Sequence, residues 1–347
     1  MTTDLPHLPA PNFTHLRSMT GRLGVWEHSR LSTPRLEHGF CTDDNARALV
    51  VVSRQASSDS SVADLAAIYL GFILEARTGT GRFHNRRSTE GAWIDDVGSD
   101  DSQGRAWWGL GAVARHGYEP WMRRAGVNAF DDCSGFDSTY LRSNAFAVLG
   151  AVDLLAVEPT HAKARDLMAR ASLVLASAVR ARIPWPEIRL TYDNARIPEA
   201  LIAAGATLAD KRMIDMGVRL LERLLWVETD GDHFSFTPVG GWETGETRPG
   251  FDQQPLEAAA MAEACYRAWT VTGRSEWRVR ALRSAQWLMG RNDTGAVLYD
   301  ASTGATCDGL QQNSVNENHG AESTLAGLAI LQIAAACSSK SPTAATR

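Results

Sequence analysis

The chain is poor in the residues that would cross-link it or attract a polyanionic partner. Its 347 residues include five cysteines, an odd number with no CxxC pair: Cys41, Cys133, Cys265, Cys307 and Cys337. Isolated cysteines predict neither a disulfide framework nor a structural zinc site. Lys and Arg number 35 against 40 Asp and Glu, giving a net charge of −5. Without an excess of positive charge, no nucleic-acid-binding surface is expected.

Export and membrane signals are also missing from the sequence. The first six residues contain no basic segment followed by an apolar one, which predicts that there is no export signal. The most apolar stretch, 325–336, is shorter than the roughly 20 residues that a helix needs to cross a bilayer. We therefore expect a soluble, cytoplasmic protein that does not insert into a membrane.

Alternating runs of β-branched residues are nearly absent, and apolar residues recur instead with helical spacing. Short and long connections alternate between the predicted helices, and each long connection precedes a helix beginning near 43, 101, 142, 193, 254 or 320. The pattern indicates a repeat of helical hairpins about fifty residues long. The helices are predicted over 46–54, 65–77, 106–114, 145–156, 164–179, 200–209, 213–226, 258–269, 277–289 and 325–336, with weaker candidates at 12–24 and 119–129.

Six such hairpins predict an all-α fold, an (α/α)6 barrel. The first helix of each hairpin is Ala-rich and apolar on all sides, which suits an inner ring, whereas amphipathic helices such as 160–181 suit an outer ring. An open α-solenoid is the alternative, but it would need a hydrophilic concave face. We expect one domain over 1–337 and a disordered tail over 338–347. The pocket should lie at the N-terminal ends of the inner helices, where the long loops gather.

Carboxylates, amides and aromatic rings converge on that end. A single acid at a helix start is most simply a cap or a partner of the helix dipole, but capping does not explain why all three residue types arrive together. Arg47, Arg105 and Arg196 lie on otherwise apolar helices and need carboxylate partners once they are buried. We therefore expect some acids to pair with these arginines and only one or two to be free for chemistry.

Indoles beside carboxylates and amides are typical of carbohydrate sites, because a ring face stacks on a sugar while polar groups bond its hydroxyls. Core packing is the alternative for every tryptophan, and it is favoured for Trp269, Trp277 and Trp287, which lie on or at the ends of helices. The candidate binding residues are Asp43, Asn45, Arg47, His84, Trp93, Arg105, Trp108, Trp185, Tyr192, Asn194, Arg196, Asp252, Gln254, Glu257, Asn318, His319 and Glu322.

Five segments carry a family pattern: HGFCTDDNARAL at 38–49, GSDDSQGR at 98–105, LTYDNARIP at 190–198, FDQQP at 251–255 and NHGAESTL at 318–325. With these segments the chain resembles the six-hairpin glycosidase-like (α/α)6 proteins. More narrowly, it resembles bacterial domains of that group that occur alone or fused to glycosyltransferases. The resemblance runs from about residue 38 to 335. It implies the barrel fold, an association with carbohydrate and a glycosyltransferase as a candidate partner, and it assigns no catalytic residues.

The leading hypothesis is a glycoside hydrolase acting on an oligosaccharide or glycoside. Hydrolysis needs an acid of raised pKa and a carboxylate base or nucleophile, and the resemblance implies inversion. Asp193 is assigned as the acid, because the apolar side chains of Trp185 and Tyr192 beside it would raise its pKa. Asp101 or Asp44 would then activate water. The candidate catalytic set is Asp44, Asp101 and Asp193, with Asp43, Glu257 and Glu322 in reserve.

Two alternatives stay open. A sugar epimerase or isomerase would move a proton beside a carbonyl, usually through histidine, and several histidines lie on the predicted mouth loops: His38, His84, His233 and His319. A non-catalytic partner of a glycosyltransferase would bind sugar without turnover. The sequence contains no metal-binding motif and no phosphate or dinucleotide fingerprint, so neither a metal nor a cofactor is expected.

Overall fold

The computed structural model describes residues 8–55, 62–182 and 184–339. Six long helices form an inner ring, and each begins within three residues of its predicted start. They are α2 (Thr42–Arg54), α4 (Asp100–His116), α6 (Leu141–Leu155), α8 (Arg196–Leu208), α10 (Pro255–Thr272) and α12 (Ala321–Ser339). Each packs against the next, and α12 returns to α2, so the ring is closed. The predicted (α/α)6 barrel is confirmed.

The other six helices surround this ring. They are α1 (Thr14–Ser18), α3 (Ala63–Glu75), α5 (Pro120–Ala129), α7 (Ala162–Ala181), α9 (Lys211–Val227) and α11 (Ser275–Leu288). The weak helix candidate at 12–24 is confirmed only over α1, because the chain then turns and Thr20 bridges Val25. The predicted tail over 338–347 lies outside the described residues from 340 onward, and its first two residues belong to α12.

The long loops carry eight two-residue strands that pair in four antiparallel ribbons. These are β1 (Ser29–Arg30) with β2 (Thr33–Pro34), β3 (Phe40–Cys41) with β4 (Arg86–Arg87), β5 (Thr229–Asp230) with β6 (His233–Phe234), and β7 (Gly309–Leu310) with β8 (Val315–Asn316). The ribbon of β3 and β4 is bonded to the start of α2, because the Thr42 N–H and hydroxyl donate to Asn85 and His84. The ribbons therefore stiffen the loop end of the barrel.

Small residues allow the inner helices to approach closely. Every residue of α6 is buried, and a Cβ added to Gly111 on α4 would collide with the carbonyl oxygen of Gly150 on α6. Proline marks two of the inner helices as the first-turn rule requires, with Pro255 opening α10 and Pro198 in the first turn of α8. The Ala-rich and Gly-containing faces thus determine how tightly the ring closes.

The apolar stretch at 325–336 belongs to a longer helix than the sequence alone indicates. With 19 residues, α12 is long and apolar enough to cross a membrane, but 72% of its most apolar window is buried inside the protein. Its neighbours are the inner helices α2 and α10. The apolarity of α12 is therefore explained by its place in the ring.

We expect Gly111→Ala to lower the free energy of unfolding by about 1–3 kcal/mol, because the added Cβ would force α4 and α6 apart. Gly71→Ala on α3 is the matched control, since its Cβ would meet no atom within 4 Å. The control should instead gain about 0.5–1 kcal/mol from helix propensity. Urea unfolding followed by circular dichroism measures both changes. Equal shifts in the two variants would contradict the close packing of α4 on α6.

Candidate functional site

A cavity of about 970 Å³ opens at the N-terminal ends of the inner helices. Its wall consists of Glu27, His28, Cys41, Asp43, Asp44, Arg47, Ser99, Asp100, Asp101, Arg105, Tyr140, Tyr192, Gln254, Leu256, Asp308, Asn316, Gly320, Glu322 and Ser323. The cavity lies at the end of the barrel that the loop pattern predicts. The predicted residues that reach its wall are Asp43, Asp44, Arg47, Asp101, Arg105, Tyr192, Gln254 and Glu322.

Helix starts bring the carboxylates into this wall. The Sγ atom of Cys41 caps α2 by accepting from the Asp44 N–H at 3.4 Å, so Asp43 and Asp44 lie in the first turn. Ser99 caps α4 in the same way, and Asp100 and Asp101 follow it. First-turn acids are favoured by the unpaired N–H groups and the positive end of the helix dipole.

Arginines neutralise some of these acids, as the sequence predicts. Arg47 lies between Asp44 and Glu322, with nitrogen–oxygen distances of 2.6 Å to each. Arg105 donates to Asp193 at 2.9 Å, and its Nε lies 3.6 Å from Asp43. Both arginines therefore have carboxylate partners inside the protein.

Asp193 lies beneath the cavity, fully buried, and not in its wall. Its carboxylate is paired with both Arg105 and Arg196, the latter at 3.1 Å. Burial alone would raise the pKa of Asp193, but the guanidinium charges of Arg196 and Arg105 outweigh it and lower the pKa. The expectation of a raised pKa for Asp193 is wrong. Trp185 packs instead against Leu224 and Trp242, in a small hollow on another part of the structure.

Asp43 lies in the cavity wall and has a raised pKa. Burial raises its pKa, the charges of Arg105 and Arg47 offset this only in part, and neighbouring Asp44 and Asp101 raise it further. Its nearest guanidinium nitrogen, at 3.6 Å, is beyond hydrogen-bond distance. Burial also raises the pKa of Glu322, again against Arg47. Asp43 therefore holds its proton more readily than an ordinary aspartate.

Asp101 has a different environment in the same wall. Its two oxygens accept hydrogen bonds from the hydroxyls of Ser143 at 2.8 Å and Tyr192 at 2.5 Å. Burial and the Asp101 charge raise the pKa of Tyr192, so the phenol keeps its proton and acts as the donor. Arg142 lies over the Tyr192 ring at 4.7 Å and restrains it. Two hydroxyl donors thus fix the orientation of the Asp101 carboxylate.

Several predicted binding residues support the loops instead of lining the cavity. Asn45 accepts from the Val25 N–H and donates to the Cys41 carbonyl. Asn318 accepts from the Leu31 N–H at 2.9 Å. The whole group outside the wall is Asn45, His84, Trp93, Trp108, Trp185, Asp193, Asn194, Arg196, Asp252, Glu257, Asn318 and His319.

The indoles among these residues pack against protein groups. Trp93 stacks on His84 with ring centroids 5.1 Å apart, and Trp108 lies beneath the Arg196 guanidinium at 4.6 Å. Over the ranges that the structure describes, no tryptophan lines the cavity, and its aromatic faces come from Tyr140 and Tyr192.

Glu257 is buried behind Asp193. Its two oxygens accept from the backbone N–H groups of Asp193 and Asn194. Burial and the charges of Glu228 and Asp193 raise the pKa of Glu257 well above its usual range. Burial also raises the pKa of Glu228 to about 7. Both carboxyl groups therefore favour the protonated form, and Glu257 lies next to the loop that enters α8.

The candidate set omits several polar residues of the wall, among them Glu27, His28, Asp100, Asp308 and Asn316. Asp308 precedes β7 and Asn316 ends β8 in the last long loop, so their position after the fifth hairpin is a usable signal. Glu27 and His28 precede the first inner helix and lie outside the hairpin repeat. Their place is fixed by a long-range hydrogen bond, in which the Ala321 N–H donates to the Glu27 carbonyl at 3.1 Å.

Two groups of side chains have donor atoms close enough for a metal ion. Those of Glu27, Cys41 and Asp44 lie within 4.8 Å of one another at the cavity wall. Arg86 and Arg47 already pair with the two carboxylates, and burial raises the pKa of the Cys41 thiol well above its usual range. This group therefore suits a cation poorly. The second group, Asp230, His233 and Asp293, lies apart from the cavity.

No protein-family model and no curated protein sequence matches the chain. Its structure is similar to cellobiose 2-epimerase from Bacillus thermoamylovorans (TM-score 0.72, 9% identity, covering 93% of this chain and 96% of that one). It is also similar to the cellobiose 2-epimerase of Spirochaeta thermophila, with a TM-score of 0.69 and 11% identity, covering 94% of this chain and 93% of that one. A third similar structure is an alpha-1,6-mannanase from Salegentibacter sp., with a TM-score of 0.62 and 12% identity, covering 93% of this chain and 96% of that one. These similarities confirm the six-hairpin (α/α)6 fold.

We expect the stability of the protein to fall as pH rises from about 4.5 to about 7, in part because of Glu228. Its pKa is higher in the folded chain than the ordinary value of 4.5, so the folded state binds the extra proton and loses that advantage on ionisation. In Glu228→Gln the free energy of unfolding should therefore fall less over this pH range, by up to roughly 3 kcal/mol. Urea unfolding at pH 5 and pH 8 measures it. Glu222→Gln, on the exposed side of α9, is the control, and an identical pH profile in both variants would contradict the assignment.

Proposed function

We propose that the cavity is the active site of a carbohydrate-active enzyme and that its reaction is the hydrolysis of a glycosidic bond. The observation that carries the proposal is the pair of carboxyl groups in one wall with unlike surroundings. Asp43 is half-buried and has a raised pKa, and Asp101 accepts two hydroxyl hydrogen bonds. Glycosidases use one carboxyl group as a proton donor and another as a base or nucleophile.

In the proposed reaction Asp43 is the acid and Asp101 the base. Asp43 transfers its proton to the glycosidic oxygen as the bond from that oxygen to the anomeric carbon breaks. A water molecule, deprotonated by Asp101, forms the new bond at the anomeric carbon. Inversion, which the family resemblance implies, would follow from attack on the face opposite the leaving group.

The remaining acids of the original candidate set have supporting roles in this proposal. Asp44 and Glu322 each form an ion pair with Arg47 at 2.6 Å, whereas the Arg105 Nε lies 3.6 Å from Asp43. Asp193 reaches the reaction only through Arg105, whose charge acts on Asp43. Tyr140 and Tyr192 offer the ring faces for sugar stacking.

The solved structures that share the fold bear on the proposal only through their printed activities. An alpha-1,6-mannanase has this barrel, so the architecture is compatible with hydrolysis. The resemblance of the sequence motifs to glycosyltransferase-associated domains supports a glycosyltransferase as partner in the same pathway. A cytoplasmic location is part of the proposal on the sequence alone.

An epimerase or isomerase is the second candidate, favoured by a specific observation at the wall. His28 lines the cavity, its Nε2 lies 3.7 Å from Glu27, and its ring packs edge-on against His38 at 4.9 Å. Histidine is the usual proton carrier in such a reaction. The fold is shared with cellobiose 2-epimerases, so the architecture is compatible with epimerisation.

Deuterium labelling separates the two candidates. In D2O, hydrolysis leaves the carbon-bound hydrogens of the sugar unlabelled, whereas epimerisation through proton abstraction introduces deuterium beside the carbonyl. We expect cleavage without carbon-bound deuterium, measured by NMR and mass spectrometry on a panel of oligosaccharides. Deuterium at a sugar carbon, lost in His28→Asn, would favour the epimerase instead.

We expect Asp43→Asn and Asp101→Asn each to lower kcat by about 10²–10⁴-fold on any glycoside that the wild type cleaves. The first variant cannot donate a proton from an acid, and the second cannot accept one from water. Because the acid must be protonated, the wild-type kcat/KM should fall as pH rises through the raised pKa of Asp43. Release of reducing ends measures the rate.

The matched control is Asp96→Asn. This aspartate is exposed on the loop that precedes α4, and it does not line the cavity. It should keep wild-type activity. If both cavity variants keep wild-type activity as well, the assignment of Asp43 and Asp101 is wrong.

A further inference from the structure

The cavity wall carries far more negative than positive charge. Seven carboxyl groups line it, against two guanidinium groups and one imidazole, although Arg86 and Arg82 pair with Glu27 and Asp100 from outside the wall. A concave wall of one sign focuses the electric potential inside it. The charge of a ligand should therefore strongly affect its affinity for the cavity.

The positive groups of the wall are already engaged by the protein. Arg47 is held by two carboxylates at 2.6 Å each, and Arg105 donates to Asp193 at 2.9 Å. The imidazole of His28 faces a carboxylate at 3.7 Å. An anionic group of a ligand would have to compete with these carboxylates for the same cations and would be repelled by them, which is unfavourable.

Asp308 is a carboxylate in the wall without a balancing cation. Its Oδ1 accepts from the Gly320 N–H at 2.8 Å, and it forms no ion pair within residues 8–55, 62–182 and 184–339. A Cβ at position 320 would lie 3.2 Å from this oxygen, so glycine permits the close approach. The Oδ2 atom has no protein partner over the same ranges and remains available as an acceptor.

We propose that the cavity selects a sugar carrying a free, protonated amine and rejects sugars carrying a carboxylate or phosphate. Asp308 would receive the ammonium group, while the paired arginines offer no site for an anion. The inference deepens the proposed function and rests on it only in taking the ligand to be a sugar. It names amino-sugar glycosides as the substrate class.

Sugars that carry a positive charge, no charge or a negative charge test this inference. For the gluco, galacto and manno configurations, the parent sugar, the 2-amino sugar, its N-acetyl form and the uronic acid are titrated calorimetrically into the full chain at pH 6. In the configuration that binds, we expect the amino sugar to bind at least about tenfold more tightly than its N-acetyl form. The uronic acid should not bind, and the preference should weaken with added salt because salt screens charge.

Asp308→Asn assigns the effect to one residue. It keeps the oxygen that accepts from Gly320 and should lose the amine preference, with about tenfold weaker amino-sugar binding than the wild type. Asp166→Asn, on the exposed surface of α7, should behave as the wild type. If Asp308→Asn does not fold, the salt dependence of the wild-type preference still decides the question.

The outcomes distinguish this inference from the proposed function. Equal or tighter binding of the N-acetyl sugar or the uronic acid overturns the amine preference and leaves hydrolysis standing. Amino-sugar binding without cleavage of any amino-sugar glycoside supports the preference and overturns hydrolysis. Failure of every sugar in the series to bind overturns both.

Discussion

A buried chain of alternating charges runs between the inner helices, and the rest of the site depends on it. Arg105 of α4 pairs with Asp193, Asp193 with Arg196 of α8, Arg196 with Glu263 of α10, and Glu263 with Arg54 of α2. Each charge would be strongly unfavourable in the interior alone, and the alternation of sign offsets that cost. Four of the six inner helices are thereby tied together below the cavity. The small residues of the ring leave the space in which this chain fits.

The same chain divides the acids of the cavity into two kinds. Because Asp193 occupies Arg105 at 2.9 Å, that guanidinium is left 3.6 Å from Asp43 and neutralises it only in part. Burial then raises the pKa of Asp43. Asp101 is held instead by the hydroxyl groups of Ser143 and Tyr192. One buried ion pair thus produces two carboxyl groups of unlike character in one wall, which acid–base chemistry requires.

The barrel could be predicted from sequence because its signal is local and repeated. Apolar helices, prolines in first turns and alternating loop lengths each report on a few neighbouring residues. The need of buried arginines for carboxylates was equally predictable. The lowered pKa of Asp193 was not, because it depends on Arg105 as well as on Arg196, and the approach of Arg105 from α4 does not follow from local spacing. Glu27 and His28 were missed because their place depends on a hydrogen bond to Ala321, almost the whole chain away.

The repeated segment Asp-Asn-Ala-Arg at 44–47 and 193–196 shows where such reasoning stops. In both copies the aspartate pairs with the arginine three residues later, Asp44 with Arg47 and Asp193 with Arg196. The first copy lies inside the first turns of α2 and faces the cavity, whereas the second ends at the first residue of α8 and is buried beneath it. A shift of a few residues relative to the helix start therefore decides whether the segment faces the cavity or is buried beneath it. The pairing of aspartate with arginine follows from the Asp-Asn-Ala-Arg sequence itself. Access to a ligand depends instead on where the helix begins relative to that sequence.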